Sequence, residues 1–185
     1  MKTIFLLLLD LPFGCLAQNT AEKQVDSLRF VETMPYICRL GPGSSVFQSA
    51  KCGSPLFWKV VILKDDAIDL LIARLDDRTS TVATVPNFGS SYTVADIAYT
   101  ALQEIIRGIP TYELLGIPFD TDGCGDCAYW QHLRKRKNRR QFKAAVQQWY
   151  DANRNNLVWI KEGSFTTCDC GAAHPNGGHY EVKGS

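Results

Sequence analysis

The chain has 185 residues, 20 Lys and Arg against 19 Asp and Glu, a formal net charge of +1, and seven cysteines. A balance so close to neutral excludes a globally driven affinity for nucleic acid or for acidic substrates. The length suits one domain with a proper core, which does not need disulfides merely to fold.

The N-terminus starts with Lys2, continues through the apolar run Ile4 to Leu9 and Leu11 to Ala17, and offers the small Ala17 before Gln18. A charged start, an apolar centre and a small-residue exit are the layout of a secretory signal over residues 1–17. Asp10 interrupts that run. Its length is short of the roughly 20 apolar residues that a permanent transmembrane helix needs. Cys15 raises lipid attachment as an alternative way of processing the signal, although Pro12-Phe13 is a poor context for it. The expectation is an exported protein, periplasmic or secreted, with no transmembrane segment in the mature chain. Removing 1–17 takes away one cation, Lys2, and one anion, Asp10, so the net charge stays at +1. Residues 18–185 then form a single, mainly α domain.

Residues 18–36 are polar, with a short helix carrying Val25, Leu28 and Val31. Cys38 and Cys52 flank the loop Gly41-Pro42-Gly43-Ser44-Ser45. A disulfide between them closes a loop of about 15 residues and contributes on the order of 3 kcal/mol by restricting the unfolded chain. Ser54-Pro55 starts a helix, Ser as N-cap and Pro at the first helical position. Phe57, Trp58, Val61 and Ile62 fall on one face of it, and Ala67, Ile68, Leu71, Ile72 and Leu75 on one face of a second helix. The tight link between them predicts an antiparallel hairpin. The segment FWKVVILKDDAIDLLIARLDD, within residues 54–77, resembles a HEAT-type repeat unit. That resemblance implies packed helix hairpins and a binding surface in place of a catalytic site.

Residues 79–92 are rich in Thr, Ser and Val, with a turn at Pro86-Asn87-Phe88-Gly89 after a short strand or extended loop. Thr93 and Asp96 resemble a capping box that starts the strongest helix. Its stripe is Val94, Ile97, Ala98, Ala101, Leu102, Ile105 and Ile106, and Gly108 with Pro110 ends it. A short apolar turn or helix covers 110–119. Asn138, with Gln141 three residues on, reads as the N-cap of a helix whose core face is Phe142, Ala145, Val146, Trp149 and Tyr150. Residues 157–161 and 179–183 read as short strands around a Gly- and Cys-rich loop, a small cysteine-rich β element at the C-terminus (157–185). The motifs PNFG (86–89), GIPTYELLG (108–116) and HPNGGHY (174–180) together resemble an uncharacterised family of exported bacterial proteins, a resemblance that implies export and no particular activity.

Two readings stand for Cys124, Cys127, Cys168 and Cys170. Two disulfides between these loops suit an oxidising compartment. Alternatively, C-x2-C at 124–127 and the cysteines about 40 residues later, followed by His174 and His179, match the ligand types and spacing of a zinc site. Zinc is therefore a possible cofactor, and otherwise none is expected. A thioredoxin-like role fails because the C-x-x-C does not follow a strand in a βαβ unit. The Asp120-Thr-Asp122 start of a calcium loop fails at Gln131, where a bidentate Glu is needed. His132 lies on a predicted helix with Tyr129 and Trp130. No nucleophile with an assignable partner, phosphate loop or carboxylate pair stands out, so an exported non-enzymatic interaction or structural module is the favoured reading. A zinc-binding protein or zinc-dependent enzyme built on Cys124, Cys127, Cys168 and Cys170 with His174 and His179 is the alternative.

Seven cations occur between Arg134 and Lys143. Arg134, Lys135, Arg136, Lys137, Arg139 and Arg140 form the candidate surface for a protein partner or an anionic surface; no specific nucleic acid is expected. Cations near a helix N-terminus are disfavoured by up to about 1 kcal/mol, so the cluster points to an anion nearby.

Overall fold

The computed structural model describes residues 14–35, 53–85, 90–119, 127–161 and 176–184. In chain order these form α1 (Gly14–Asp26), a 3₁₀ turn (Ser27–Phe30), α2 (Pro55–Val61), α3 (Asp65–Ala73), β1 (Ser80–Val85), β2 (Ser90–Thr93), α4 (Val94–Ile105), α5 (Thr111–Leu115), α6 (Cys127–Leu133), α7 (Arg136–Asn153), β3 (Leu157–Lys161) and β4 (Gly178–Val182). The chain is mainly helical, with two small antiparallel sheets, β1–β2 and β3–β4. None of the described helices is long and apolar enough to cross a membrane.

The centre of the molecule is α4. Thr93 and Asp96 form the full capping box: the Thr93 side chain accepts from the Asp96 N–H, and the Asp96 carboxylate accepts from the Thr93 N–H at 2.8 Å. Two of the orphan donors at the helix start are thereby satisfied. The whole expected stripe from Val94 to Ile106 is buried. Around it pack α2, α3, the 3₁₀ turn and β4.

Ser54 caps α2, accepting from the Leu56 N–H at 3.3 Å, and Pro55 stands inside the first turn. Ala67, Ile68, Leu71, Ile72 and Leu75 are all buried around α3. The HEAT-like hairpin is not shown. Here α2 packs on α4, α1 and the 3₁₀ turn, while α3 packs on α4, α1 and α7. Only the three residues Ile62 to Lys64 join the two helices, and Lys64 takes a left-handed φ of 53°. The expected α2 face is corrected at its end. The helix stops at Val61, so Val60 is buried and Ile62 is 50 % exposed.

The Thr/Ser/Val stretch is a strand pair. β1 alternates exposed and buried, with Thr81, Ala83 and Val85 inward, the period-2 pattern of a half-buried strand. Residues 86–89 lie outside the described set. At the other end, β3 and β4 pair from Leu157↔Val182 to Lys161↔Gly178. Tyr180 of β4 also forms a parallel bridge to Ile106, and its carbonyl accepts from the Arg107 N–H at 2.9 Å. The end of α4 therefore anchors the C-terminal hairpin. The cysteine-rich loop expected within that hairpin, 162–175, lies outside the described residues.

Val25, Leu28 and Val31 are buried as expected of the 18–36 segment. The helix that carries Val25, α1, begins at Gly14 and runs across the expected signal exit between Ala17 and Gln18.

Candidate interaction surface

The basic run occupies the corner between α6 and α7. Three aromatic rings of that corner, Tyr129, Trp130 and Phe142, hold it to the rest of the fold. Tyr129 stacks on Tyr99 of α4 with centroids 6.2 Å apart, Trp130 meets Tyr92 of β2 edge-on at 5.5 Å, and Phe142 of α7 meets Tyr99 edge-on at 4.9 Å. Leu133 of α6 and Val146 of α7 are buried beside them. Such aromatic pairs each contribute about 0.5–1.5 kcal/mol beyond their buried area. Burial raises the pKa of Tyr99 well above the usual phenol value, while its hydrogen bond with Thr111 Oγ1 at 2.7 Å pulls the other way.

Three polar ties fix α7 more finely, and each changes an expectation. Asn138 is not the N-cap. The helix starts two residues earlier, at Arg136, with Lys135 as its cap residue and no side-chain capping bond. The Asn138 amide instead donates to the His132 carbonyl at 2.8 Å. It thereby satisfies one of the last carbonyls of α6, which have no intrahelical partner. Arg139 is not part of an exposed surface. It donates to Asp96 at 2.9 Å, and the two side chains are 8 % and 3 % exposed. Its position explains this: Arg139, Phe142 and Val146 recur at i, i+3 and i+7, so Arg139 belongs to the inward stripe of α7. Lys143 donates to Asp76 at 2.8 Å and to the Ala73 carbonyl at 2.6 Å, just past the end of α3. That hydrogen bond from Lys143 is the main reason the Asp76 carboxyl lies below its ordinary pKa.

With Arg139 and Lys143 turned to these partners, Arg134, Lys135, Arg136, Lys137 and Arg140 stay exposed. Among the described residues, none of these five forms an ion pair. They lie on the link before an 18-residue helix and on its first two turns, and the backbone dipole adds positive potential at the helix start. An open cleft of about 470 Å³ lies against the same corner. Ile117, Pro118 and Ala128 give it apolar walls; Gln131, His132, Lys135 and Asn138 supply the polar ones. Lys135 therefore belongs to both the basic cluster and the cleft.

Of the other expected site residues, Cys38, Cys52, Cys124, Cys168, Cys170 and His174 lie outside the described residues. Cys127 is the first residue of α6. His179 is 2 % exposed, and its Nε2 lies 2.8 Å from Glu181 Oε1. Among the described residues, no group of three His, Cys, Asp or Glu is placed to hold a metal ion.

A second polar cluster, absent from the sequence reading, is where the C-terminal hairpin meets α3. The Tyr180 hydroxyl donates to Asp65 at 2.9 Å, and the Lys64 ammonium sits 4.0 Å over the Trp159 ring. Trp159 and Tyr180 meet edge-on at 4.9 Å. Burial, with help from Asp65, pushes the Tyr180 hydroxyl up to about 12. The aromatic character of β3 and β4 was visible in the sequence; their contact with α3, 115 residues away in the chain, was not.

No protein-family model matches this chain, and neither does any curated protein or solved structure. Function therefore has to be argued from the surface itself and not from fold-level analogy.

Proposed function

We propose that the protein is an exported, non-enzymatic interaction module that holds an anionic partner at the α6–α7 corner. One observation carries this reading: five exposed cations within seven residues, forming no ion pair among the described residues, at the positive end of α7. Concentrating like charge there is unfavourable by up to about 1 kcal/mol, and an external anion relieves it. The core contacts beneath support the same reading, because Asn138, Arg139 and Lys143 position the helix and leave its cations facing solvent. Among the described residues, His179 lies beside the Glu181 carboxylate and is closed off from solvent, so the pair is placed to support β4. Export rests on the signal-like N-terminus.

The test is salt elution from a heparin column. Replacing Arg134, Lys135, Arg136, Lys137 and Arg140 with Gln lowers the eluting salt concentration sharply. A control with Gln at the exposed Lys23, Lys59, Arg78, Lys161 and Lys183 has the same net charge and elutes near the parent protein. Equal shifts in both variants sink the proposal, since total charge then explains retention. Intact mass of protein recovered outside the cytoplasm, with and without reduction, reports signal removal and separates disulfides from zinc-bound thiolates at the six cysteines of the mature chain.

A further inference from the structure

We infer that the partner held at this corner is an acidic polypeptide segment carrying one apolar anchor side chain, which enters the cleft beside the basic cluster. The inference rests on the reading of the corner as an anion-binding surface and adds the occupant.

Charge and lining together favour it. Beside the exposed cations, the cleft is walled by the partly buried Ile117 and Ala128 and by the exposed Pro118. An apolar wall next to a cluster of cations suits a ligand that carries one apolar group beside its negative charges. An anionic bilayer would instead take up the 47 % exposed Phe119 beside Pro118, and the vesicle arm of the experiment separates the two. The cleft is open and of about 470 Å³, room for one large apolar side chain. Gln131, His132 and Asn138 line the same space and offer polar groups to the backbone of a peptide entering it.

The spacing then sets the sequence of the occupant. Lys135 touches both the cleft and the charged run, so the anchor and the acidic residues must be close together in the peptide. From Arg136 to Arg140 the helix rises about 6 Å, which an extended chain covers in about two residues. The fitting segment is an apolar residue followed directly by a short run of Asp or Glu. Its carboxylates meet both the guanidinium groups and the N-terminal end of α7, while its anchor adds the contact that distinguishes it from an arbitrary polyanion.

The experiment measures binding of fluorescein-labelled synthetic peptides to the full chain by anisotropy. One peptide has a Leu anchor followed by four alternating Asp and Glu; a second replaces the anchor with Ser; vesicles of phosphatidylglycerol are the third probe. The anchored peptide is expected to bind roughly tenfold tighter than the Ser peptide, the advantage of burying one large apolar side chain. Ala128→Arg, which fills the cleft, removes that advantage and leaves salt-sensitive binding intact. Gln131→Trp at the exposed rim is a second blocking variant if the first fails to fold. Equal affinity for the two peptides overturns the anchored segment while leaving the anion-binding corner standing. Loss of all peptide binding together with unchanged heparin retention in the Gln variant overturns both. Vesicle binding that survives both blocking variants and exceeds peptide binding assigns the corner to a membrane and overturns the inference.

Discussion

Arg139 reaches across 43 residues of chain to place its guanidinium 2.9 Å from the carboxylate of Asp96, and both side chains are almost wholly buried. The other carboxylate oxygen of Asp96 accepts from the Thr93 N–H at 2.8 Å and from the Thr93 hydroxyl at 2.6 Å. One acidic residue thus closes the capping box of α4 and fixes α7 against it. Removing one partner of a buried pair leaves an uncompensated charge, at a cost of about 3–5 kcal/mol. Arg139→Leu is expected to lose that amount in urea unfolding. Asp96→Ala loses as much, plus about 1 kcal/mol for the cap. The double variant is expected to be clearly more stable than the sum of the two losses, because neither charge is then stranded. Strict additivity in the double-mutant cycle is the outcome that contradicts this relationship.

Lys143 and Asp76 make a more exposed tie, so its contribution is small, below about 1 kcal/mol, and depends on pH. The folded-state pKa of Asp76 is depressed, chiefly by its hydrogen bond from Lys143. A depressed carboxyl contributes stability that is present above its ordinary value of 3.8 and lost as the pH falls through the lower folded value. The stability gap between the parent protein and Lys143→Met should therefore be largest near neutral pH and shrink in strong acid. A gap that stays constant from pH 6 down through the acid limb would show that the Lys143 bond to the Ala73 carbonyl, not the ion pair, supplies the effect.

Much of this fold can be read from the chain alone, because its helices obey local rules. The α4 stripe, the Ser54 cap and the Thr93–Asp96 capping box each depend on residues within a few positions of one another. Arg139 shows where local reading stops and how it could have gone further. Treated as a charge, it joins the basic run; extended by three residues, the Phe142–Val146 stripe places it inward. Its partner was not legible, since nothing near Arg139 in sequence points to Asp96. The contact of Tyr180 with Asp65 is hidden for the same reason. Asn138 misled because a good capping residue also serves well as a donor to the carbonyl end of the preceding helix. The basic corner was legible as a run of charge, but which five cations remain exposed depends on α7's orientation, which only the tertiary contacts set.

Tyr180 gives the docking of the C-terminal hairpin a spectroscopic signature. Its hydroxyl pKa is raised to about 12, first by burial and then by the hydrogen bond and negative charge of Asp65. The raised group binds its proton more tightly in the folded state. Its stability contribution is full below the ordinary tyrosine value near 10 and is lost as the pH rises through about 12. In ultraviolet titration, Asp65→Asn should move one tyrosine back toward the ordinary value, and Tyr180→Phe should delete that same late-titrating step. Unchanged high-pH absorbance in Asp65→Asn would mean that burial alone sets the shift.

Gly178 decides whether the same hairpin can form. Its φ is +150°, and a Cβ at this position would lie 2.1 Å from the Ile160 carbonyl oxygen and 3.0 Å from the Trp159 ring. The carbonyl is backbone of the paired strand, so it cannot swing away as a flexible side chain would. Gly177, next to it, has φ +70° and open space around its Cβ position. Alanine at Gly177 therefore meets only the left-handed backbone penalty, about 1–2 kcal/mol. Gly178→Ala meets both a disfavoured backbone and a clash with the partner strand, so its loss of stability should exceed that of Gly177→Ala. It should also weaken the near-ultraviolet dichroism of the Trp159–Tyr180 pair, which Gly177→Ala preserves. Because Tyr180 ties β4 to Ile106, Arg107 and Asp65, the Gly178 variant should additionally lower the raised tyrosine pKa. Equal losses in the two alanine variants, with both near-ultraviolet spectra intact, would show that strand β4 does not approach Ile160 as closely as this register requires.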